Sequence, residues 1–336
     1  MKGLRKRAVV LAAVAALAMS SLAGCSRDNT VDNNKVAARV GDSEITLGAL
    51  NFYLRYDQAN VESVYGSTFG ENLWRVEFAE GITFESSEKD SILNALTQMY
   101  ILEDHMTEYG VTISLEEMAK IEETAKTFVE ENSEEAVALV SGNQETVVEV
   151  LKMCTISAKM YAAMVEDVST EVSDEEAGLK KVAYLGFTET ENITLEEAKE
   201  EAELFLEEVK KVGDLLEVAN EQQAPAHEIN YNDKTDTSVL SKELMDAANK
   251  LKQGEFSDVI EVNNIYYVIQ LVDEFDEEAT EANKAQIVAD RQDEKFNEVY
   301  ENWKKEAVIE IDDQVVSDID MHGLKITLKK QETTTK

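Results

Sequence analysis

Proline is nearly missing from this 336-residue chain. It occurs once, at Pro225, and glycine only 14 times, where average usage of about 5% and 7% would give roughly 17 and 24. Few tight turns and long helices follow. Cysteine occurs twice, at Cys25 and Cys154, too few for a disulfide framework. Histidine is confined to His105, His227 and His322, none with a neighbour at the spacing of a zinc motif such as HExxH, so no metal is expected. The loop Asn230-Tyr231-Asn232-Asp233-Lys234-Thr235-Asp236 offers oxygen ligands but lacks the glycine that an EF-hand loop needs at its sixth position. There is no GxSxG, no Walker loop and no GxGxxG, which leaves serine hydrolysis and nucleotide or dinucleotide cofactors without a motif. Positive charge is scarce: 32 Lys+Arg stand against 69 Asp+Glu, a formal net charge of −37. Such a chain repels nucleic acid, which is excluded as a partner. Hydrophobic residues at 43% and charged residues at 30% are close to ordinary globular usage, so a sizeable core can form.

Long apolar runs are also absent, with one exception at the start. Lys2, Arg5, Lys6 and Arg7 precede an apolar run from Ala8 to Met19, the pattern of a secretory signal over residues 1–24. The run is too short for a membrane span, which needs about 20 apolar residues, and none follows it later. The leader closes on Leu22-Ala23-Gly24-Cys25, which resembles the bacterial lipobox. That resemblance implies lipidation of Cys25, which would become the new N-terminus and anchor the chain to the membrane. An ordinary secretory signal with an incidental cysteine is the alternative. Cleavage would leave 28 basic against 69 acidic residues, a net charge of −41, so the body is repelled by anionic lipid and the anchor alone holds it there. Residues 25–35 are polar enough for a flexible tether. Cys154 shares a helical apolar face with Val147, Val148, Leu151, Ala158, Tyr161 and Val165, the place of a buried structural thiol rather than a nucleophile.

Three further regions follow. Residues 36–170 open on an alternating pattern around Gly41-Asp42, a short hairpin, after which Thr46 can cap a helix. Helical periodicity runs through Ile92, Leu96, Met99 and Met106, and again behind the capping box Ser114-Leu115-Glu116-Glu117. Residues 171–275 mix strands and helices: Lys181–Phe187 as a strand, Thr194–Val212 as an amphipathic helix, then a polar loop, Glu228–Tyr231, a short helix over Leu244–Leu251, a turn at Gly254 and the strand Ile265–Val272. Residues 276–325 begin with a long helix carrying Ala285, Val288, Ala289, Phe296, Val299, Tyr300, Trp303 and Ala307 on one stripe. An aromatic stripe needs cover, so this helix is expected to pack on the N-terminal region and make the mixed region an insertion. Residues 326–336 are expected to be a disordered tail. The fold class is therefore α+β, a mostly helical domain built from both ends of the chain with an α/β insert.

The segment Met245–Leu271 carries the sharpest signal. Ala247-Ala248, then Leu251-Lys252-Gln253-Gly254-Glu255-Phe256-Ser257, then Tyr266-Tyr267-Val268-Ile269 resemble the C-terminal half of parvulin-type peptidyl-prolyl isomerases. Upstream, Lys181–Phe187 stands where that family has its first strand, and Val212-Gly213-Asp214-Leu215-Leu216 to Ala219 resembles its helix end. Lipobox, hairpin, insert and aromatic C-terminal helix come in the order of secreted lipoprotein foldases of the PrsA and SurA type. The resemblance implies a helical chaperone domain around a parvulin-like insert, binding unfolded or newly secreted polypeptides at the outer face of the cytoplasmic membrane of a bacterium.

The chain departs from the family at its site. The two family histidine positions carry Tyr184 and Tyr267, the phenylalanine of the proline pocket is Met245, the Gly-Gly-x-Leu-Gly stretch is missing, and the family Cys or Asp falls at an unassigned place between Gln222 and Asp236. Rotation about a prolyl bond crosses a barrier of about 18–20 kcal/mol set by amide resonance, and no nucleophile is needed to lower it. A pocket that desolvates the carbonyl and prefers the twisted amide suffices. Tyr184 and Tyr267 are thus the candidate catalytic residues and, with Met245, the candidate substrate-binding residues. Two readings stay open: hydroxyl donors and an apolar wall for an isomerase, or half-buried strand residues in a decayed insert of a purely non-catalytic chaperone. A solute-binding lipoprotein, the remaining class with a lipobox, would show more strand-helix alternation and more glycine.

Overall fold

The computed structural model describes residues 30–322 together with the short strands Leu17–Met19 and Ile326–Leu328. The leader's other residues, Cys25 and the end of the tail lie outside the described residues. In chain order the elements are β1 (Val36–Val40), β2 (Ser43–Thr46), α1 (Leu47–Phe69), β3 (Glu77–Ala79), β4 (Ile82–Thr83), α2 (Phe84–Asp104), α3 (Leu115–Glu131), α4 (Glu134–Leu139) and α5 (Gln144–Met164). Then come α6 (Asp174–Ala177), β5 (Lys180–Thr188), α7 (Leu195–Val212), α8 (Leu215–Glu221), β6 (His227–Tyr231), α9 (Lys242–Ala248), β7 (Ile260–Val262) and β8 (Ile265–Asp273). The chain continues through α10 (Glu277–Glu306), β9 (Ile309–Ile311) and α11 (Asp313–Val316). It divides into two compact units, residues 1–167 with 293–336, and residues 168–292.

The first unit is a helical body with a small sheet. Most of its helix starts are written into the sequence: Thr46 accepts from the Ala49 amide, Ser114 and Glu117 form a reciprocal capping box, and Asn143 accepts from Thr146, each satisfying an amide the helix cannot pair itself. The core is built by Leu50, Phe52 and Leu54 of α1, Leu96 and Met99 of α2, Phe128 of α3 and Leu151 and Cys154 of α5, all buried. Phe52 meets Phe128 edge to face at 5.4 Å. Within this unit the C-terminal end of α10 is covered: Phe296 lies 5.2 Å from the Tyr161 ring, the Tyr161 hydroxyl donates to Asp293 at 2.6 Å, and Trp303 stacks on His105 at 4.0 Å.

One expectation needs correction here. Residues 25–35 are not a free tether to their end, because Leu47 donates its amide to the Lys35 carbonyl at 2.7 Å and Lys35 pairs with Asp318 at 2.6 Å. Polarity signals solvation but does not show that a backbone carbonyl is needed to finish β1 and start α1. In the full chain Ile326–Leu328 pair antiparallel with Leu17–Met19 of the leader, a ladder that cleavage before Cys25 would remove. A three-residue ladder is too short to leave a period in the sequence.

The second unit is a four-stranded sheet in the order β6-β5-β8-β7, every neighbouring pair antiparallel. Alternation assigns its two faces. Ala183, Leu185, Tyr266 and Val268 pack on α7 and α8 through Ala198, Ala202, Phe205, Val209, Leu215 and Val218. Val182, Ile269, Leu271 and Tyr231 face the other way, onto Leu240, Leu244, Met245 and Ala248 of the α9 region. The polar loop expected after α7 is in part a helix, α8, capped by Asp214, whose side chain accepts from Glu217. The α7–α8 corner is held by a buried glutamine: Gln270 donates to the Gly213 carbonyl at 3.1 Å and accepts from the Leu215 amide at 2.9 Å. Gly213 sits at φ +90, a conformation glycine takes without a side-chain clash.

Candidate active site

The face of the sheet that meets α9 gathers the expected site residues. Tyr184 lies near the middle of β5, and register pairs it with Ile269 on β8 and with His227 on β6. Tyr267 pairs with Gly186 on one side and Ile260 on the other. Directly opposed residues in an antiparallel ladder share a face, as do residues two apart on one strand. Tyr184, Tyr267 and His227 are thus neighbours on one surface.

Ring geometry agrees with the register. The Tyr184 and Tyr267 centroids are 6.2 Å apart with planes at 60°, and Tyr184 lies 5.4 Å from the His227 ring with planes at 37°. These are the tilted arrangements that aromatic quadrupoles prefer. Both tyrosines are half-buried and pack against the cluster that contains Met245. Burial, with the neighbouring Tyr184 as a smaller cause, pushes the Tyr267 hydroxyl above the usual phenol range, so it stays a protonated donor at neutral pH.

Met245 comes to the same face from α9, whose N-cap Ser241 accepts from the Leu244 amide. It is buried in the cluster with Leu244, Ala248 and Ile269, so it acts as the floor under the two rings and offers little open surface of its own. The loop after α9 is stitched to β8. Gly254 donates to the Leu271 carbonyl at 2.7 Å, and Ser257 both donates its amide to the Ile269 carbonyl at 2.9 Å and accepts the Ile269 amide on its hydroxyl at 3.1 Å. The Leu-Lys-x-Gly-Glu-x-Ser pattern therefore works here as an edge that fixes the strand carrying Tyr267.

His227 was not singled out by sequence. Its place depends on how β6 pairs with β5 across a separation of more than forty residues, and the window Gln222–Asp236 that contains it is expected to hold the family Cys or Asp, not a histidine. The only described group of His, Cys, Asp and Glu with donor atoms close enough for a metal is Glu85, Asp320 and His322. It belongs to the first unit, and Lys89 already pairs with Glu85 at 2.8 Å.

Comparisons with known proteins match both the second unit and the chain as a whole. The family model of the PPIC-type PPIASE domain, a peptidyl-prolyl isomerase family, matches residues 180–280, the stretch that contains the whole sheet. The foldase protein PrsA of Clostridium tetani is 26% identical over 319 residues, spanning 86% of this chain and 91% of that protein. That of Clostridium perfringens is 25% identical over 351 residues, spanning 95% and 98%. Over most of its length the chain is similar to PrsA foldases, and residues 180–280 carry the parvulin-like domain. Among solved structures, the foldase protein PrsA of Lactococcus lactis is similar at 16% identity over 85% of this chain and 98% of that one, with a TM-score of 0.32. The PrsA-type match covers both units, whereas the PPIC-type match is confined to the second.

Proposed function

We propose that this protein is an extracytoplasmic foldase for secreted polypeptides, anchored by a lipid on Cys25, whose insert cradles prolyl segments of its clients on the Tyr184, Tyr267 and His227 face. The observation that carries the reading is the coincidence of the PPIC-type match with a sheet face on which two half-buried tyrosines lie 6.2 Å apart over an apolar floor. A prolyl ring placed on that floor leaves water, and desolvation of its carbonyl favours the twisted amide, in which resonance and charge separation are reduced. The Tyr267 hydroxyl is a donor to the pyramidal prolyl nitrogen, whose lone pair is localised only in the twisted state, so the interaction is worth more there than in the planar one. Rotation then needs no bond to break. With tyrosines in both histidine places the rate enhancement is small, and the binding role is the larger part of the function.

No described helix is long and apolar enough to cross a membrane, which fits attachment through a modified cysteine. Mass spectrometry of the mature chain tests the anchor. A diacylglyceryl mass on Cys25, and release of Cys25→Ala into the medium, are expected; an unmodified Cys25 overturns the anchoring. The foldase reading is tested by diluting a chemically denatured client into the full chain. Suppressed aggregation and a higher refolded yield are expected, and no effect at excess chain overturns it.

A further inference from the structure

The first unit carries a cluster of aromatic rings that its core does not absorb. Phe84, at the start of α2, is the hub: Tyr65 of α1 lies 6.2 Å from its ring, Phe78 of β3 6.3 Å and Trp74 5.7 Å. Trp74 is buried and donates its indole N–H to Glu62 at 2.9 Å, which pins the cluster from below. Its outer members stay in water: Phe78 is 59% exposed, Tyr65 46% and Ile82, beside Phe84 on the β3–β4 hairpin, 44%. An isolated exposed apolar residue is unremarkable, but a contiguous aromatic group at a hairpin marks a contact surface.

Charge says what it takes. From Tyr56 to Asp90 the sequence has seven acidic residues, Asp57, Glu62, Glu71, Glu77, Glu80, Glu85 and Asp90, besides the half-buried and protonated Glu88, against Arg75 and Lys89 alone. Glu77 and Glu80 are exposed on the same hairpin as Phe78. An acidic rim around exposed rings repels acidic segments and attracts basic ones, and it adds cation–π partners for Lys and Arg. We infer that the Tyr65, Phe78, Ile82 and Phe84 patch is a docking site for unfolded segments in which aromatic or aliphatic side chains alternate with Lys or Arg. This rests on the foldase reading and gives it a location and a client class.

The experiment titrates the full chain against a short fluorescein-labelled peptide of alternating Lys and Phe or Leu, and against the same peptide with Glu for Lys, while client aggregation is measured in parallel. Binding of the Lys peptide that weakens with salt, little binding of the Glu peptide, and an affinity loss of about tenfold in Tyr65→Ser/Phe78→Ser are expected. Leu115→Ser, at another exposed apolar residue, 92% exposed, is the control and should bind as wild type does. Both changes are at the surface, and an unchanged thermal melt verifies folding. If wild type suppresses aggregation and the double variant does so equally, with equal peptide affinity, the patch is overturned and the foldase reading stands. Equal binding of the Lys and Glu peptides overturns the client class. If wild type binds neither peptide and suppresses nothing, the foldase reading fails with it.

Discussion

The ring of Tyr267 lies over Gly186, its partner across the β5–β8 ladder, so closely that a β-carbon at Gly186 would stand 2.8 Å from Tyr267 Cε1 and 3.0 Å from Ile265 Cγ2. Glycine here is required by a neighbour's ring and not by backbone conformation. It lets Tyr267 lean across the strand toward Tyr184.

Gly186→Ala is therefore expected to push the Tyr267 ring off its seat. Overpacking of this kind costs about 1–3 kcal/mol where neighbours cannot yield; a flexible ring end yields partly, so the low end is expected for stability and the larger effect for prolyl-peptide affinity. Thermal melting and peptide titration on the same variant measure the two. An unchanged affinity would show that the position of Tyr267 does not matter to binding.

Gln270 offers a test of the insert's architecture. Its side-chain amide satisfies the Gly213 carbonyl and the Leu215 amide in a buried corner. Gln270→Leu keeps the size but strands both groups, at an expected cost of about 1–3 kcal/mol. Hydrogen exchange should show the loss at Leu215–Glu221 first. Wild-type protection there would mean that the corner is held by the apolar contacts of Leu215 and Val218 alone.

Two carboxyl groups, one in each unit, should contribute opposite pH dependences. Burial, then its hydrogen bond and charge interaction with Asp57, pushes the Glu88 carboxyl up to about 8 from 4.5. The folded state thus binds a proton that the unfolded chain releases, and stability falls as pH rises from about 4.5 toward 8. Glu88→Gln should flatten that dependence. Asp276 is the reverse case: the Ala279 amide, Lys181 at 2.6 Å and Asn230 at 3.0 Å hold its carboxylate well below the usual range. Its contribution is present above the ordinary carboxylate pKa of about 4 and is lost as pH falls below it. Denaturant melts of wild type, Glu88→Gln and Asp276→Asn across pH test both signs. Parallel slopes in wild type and Glu88→Gln would remove Glu88 as the cause.

What the sequence disclosed and what it hid divide along physical lines. The faces of β5 and β8 follow from strict alternation, so Tyr184 and Tyr267 could be placed on one surface beside Met245 from residue spacing and a family resemblance. His227 could not, because its position is set by strand register through a long connection. In the first unit α1 was visible only at its cap, Thr46. Its buried face includes Asn51, Arg55 and Gln58, polar residues that break the apolar stripe. They reach distant partners: Asn51 donates to Ser141 and the Leu139 carbonyl, Arg55 to the Asp320 carbonyl, and Gln58 to the Met321 carbonyl. β9 was hidden for the same reason, since three residues, Ile309–Ile311, complete a sheet with β1 from the other end of the chain.

The central claim is that a prolyl segment rests on the Tyr184 and Tyr267 face and isomerises faster there. Exchange spectroscopy by NMR on an Xaa-Pro peptide, with the full chain added in substoichiometric amounts, tests it most directly. Uncatalysed exchange takes tens to hundreds of seconds. The account predicts measurably faster exchange with wild type, and a loss of most of that acceleration in Tyr184→Phe/Tyr267→Phe, which keeps the rings and removes the hydroxyls. Exchange at the uncatalysed rate in the presence of folded wild-type chain would contradict it and leave the insert a peptide-binding module without catalysis.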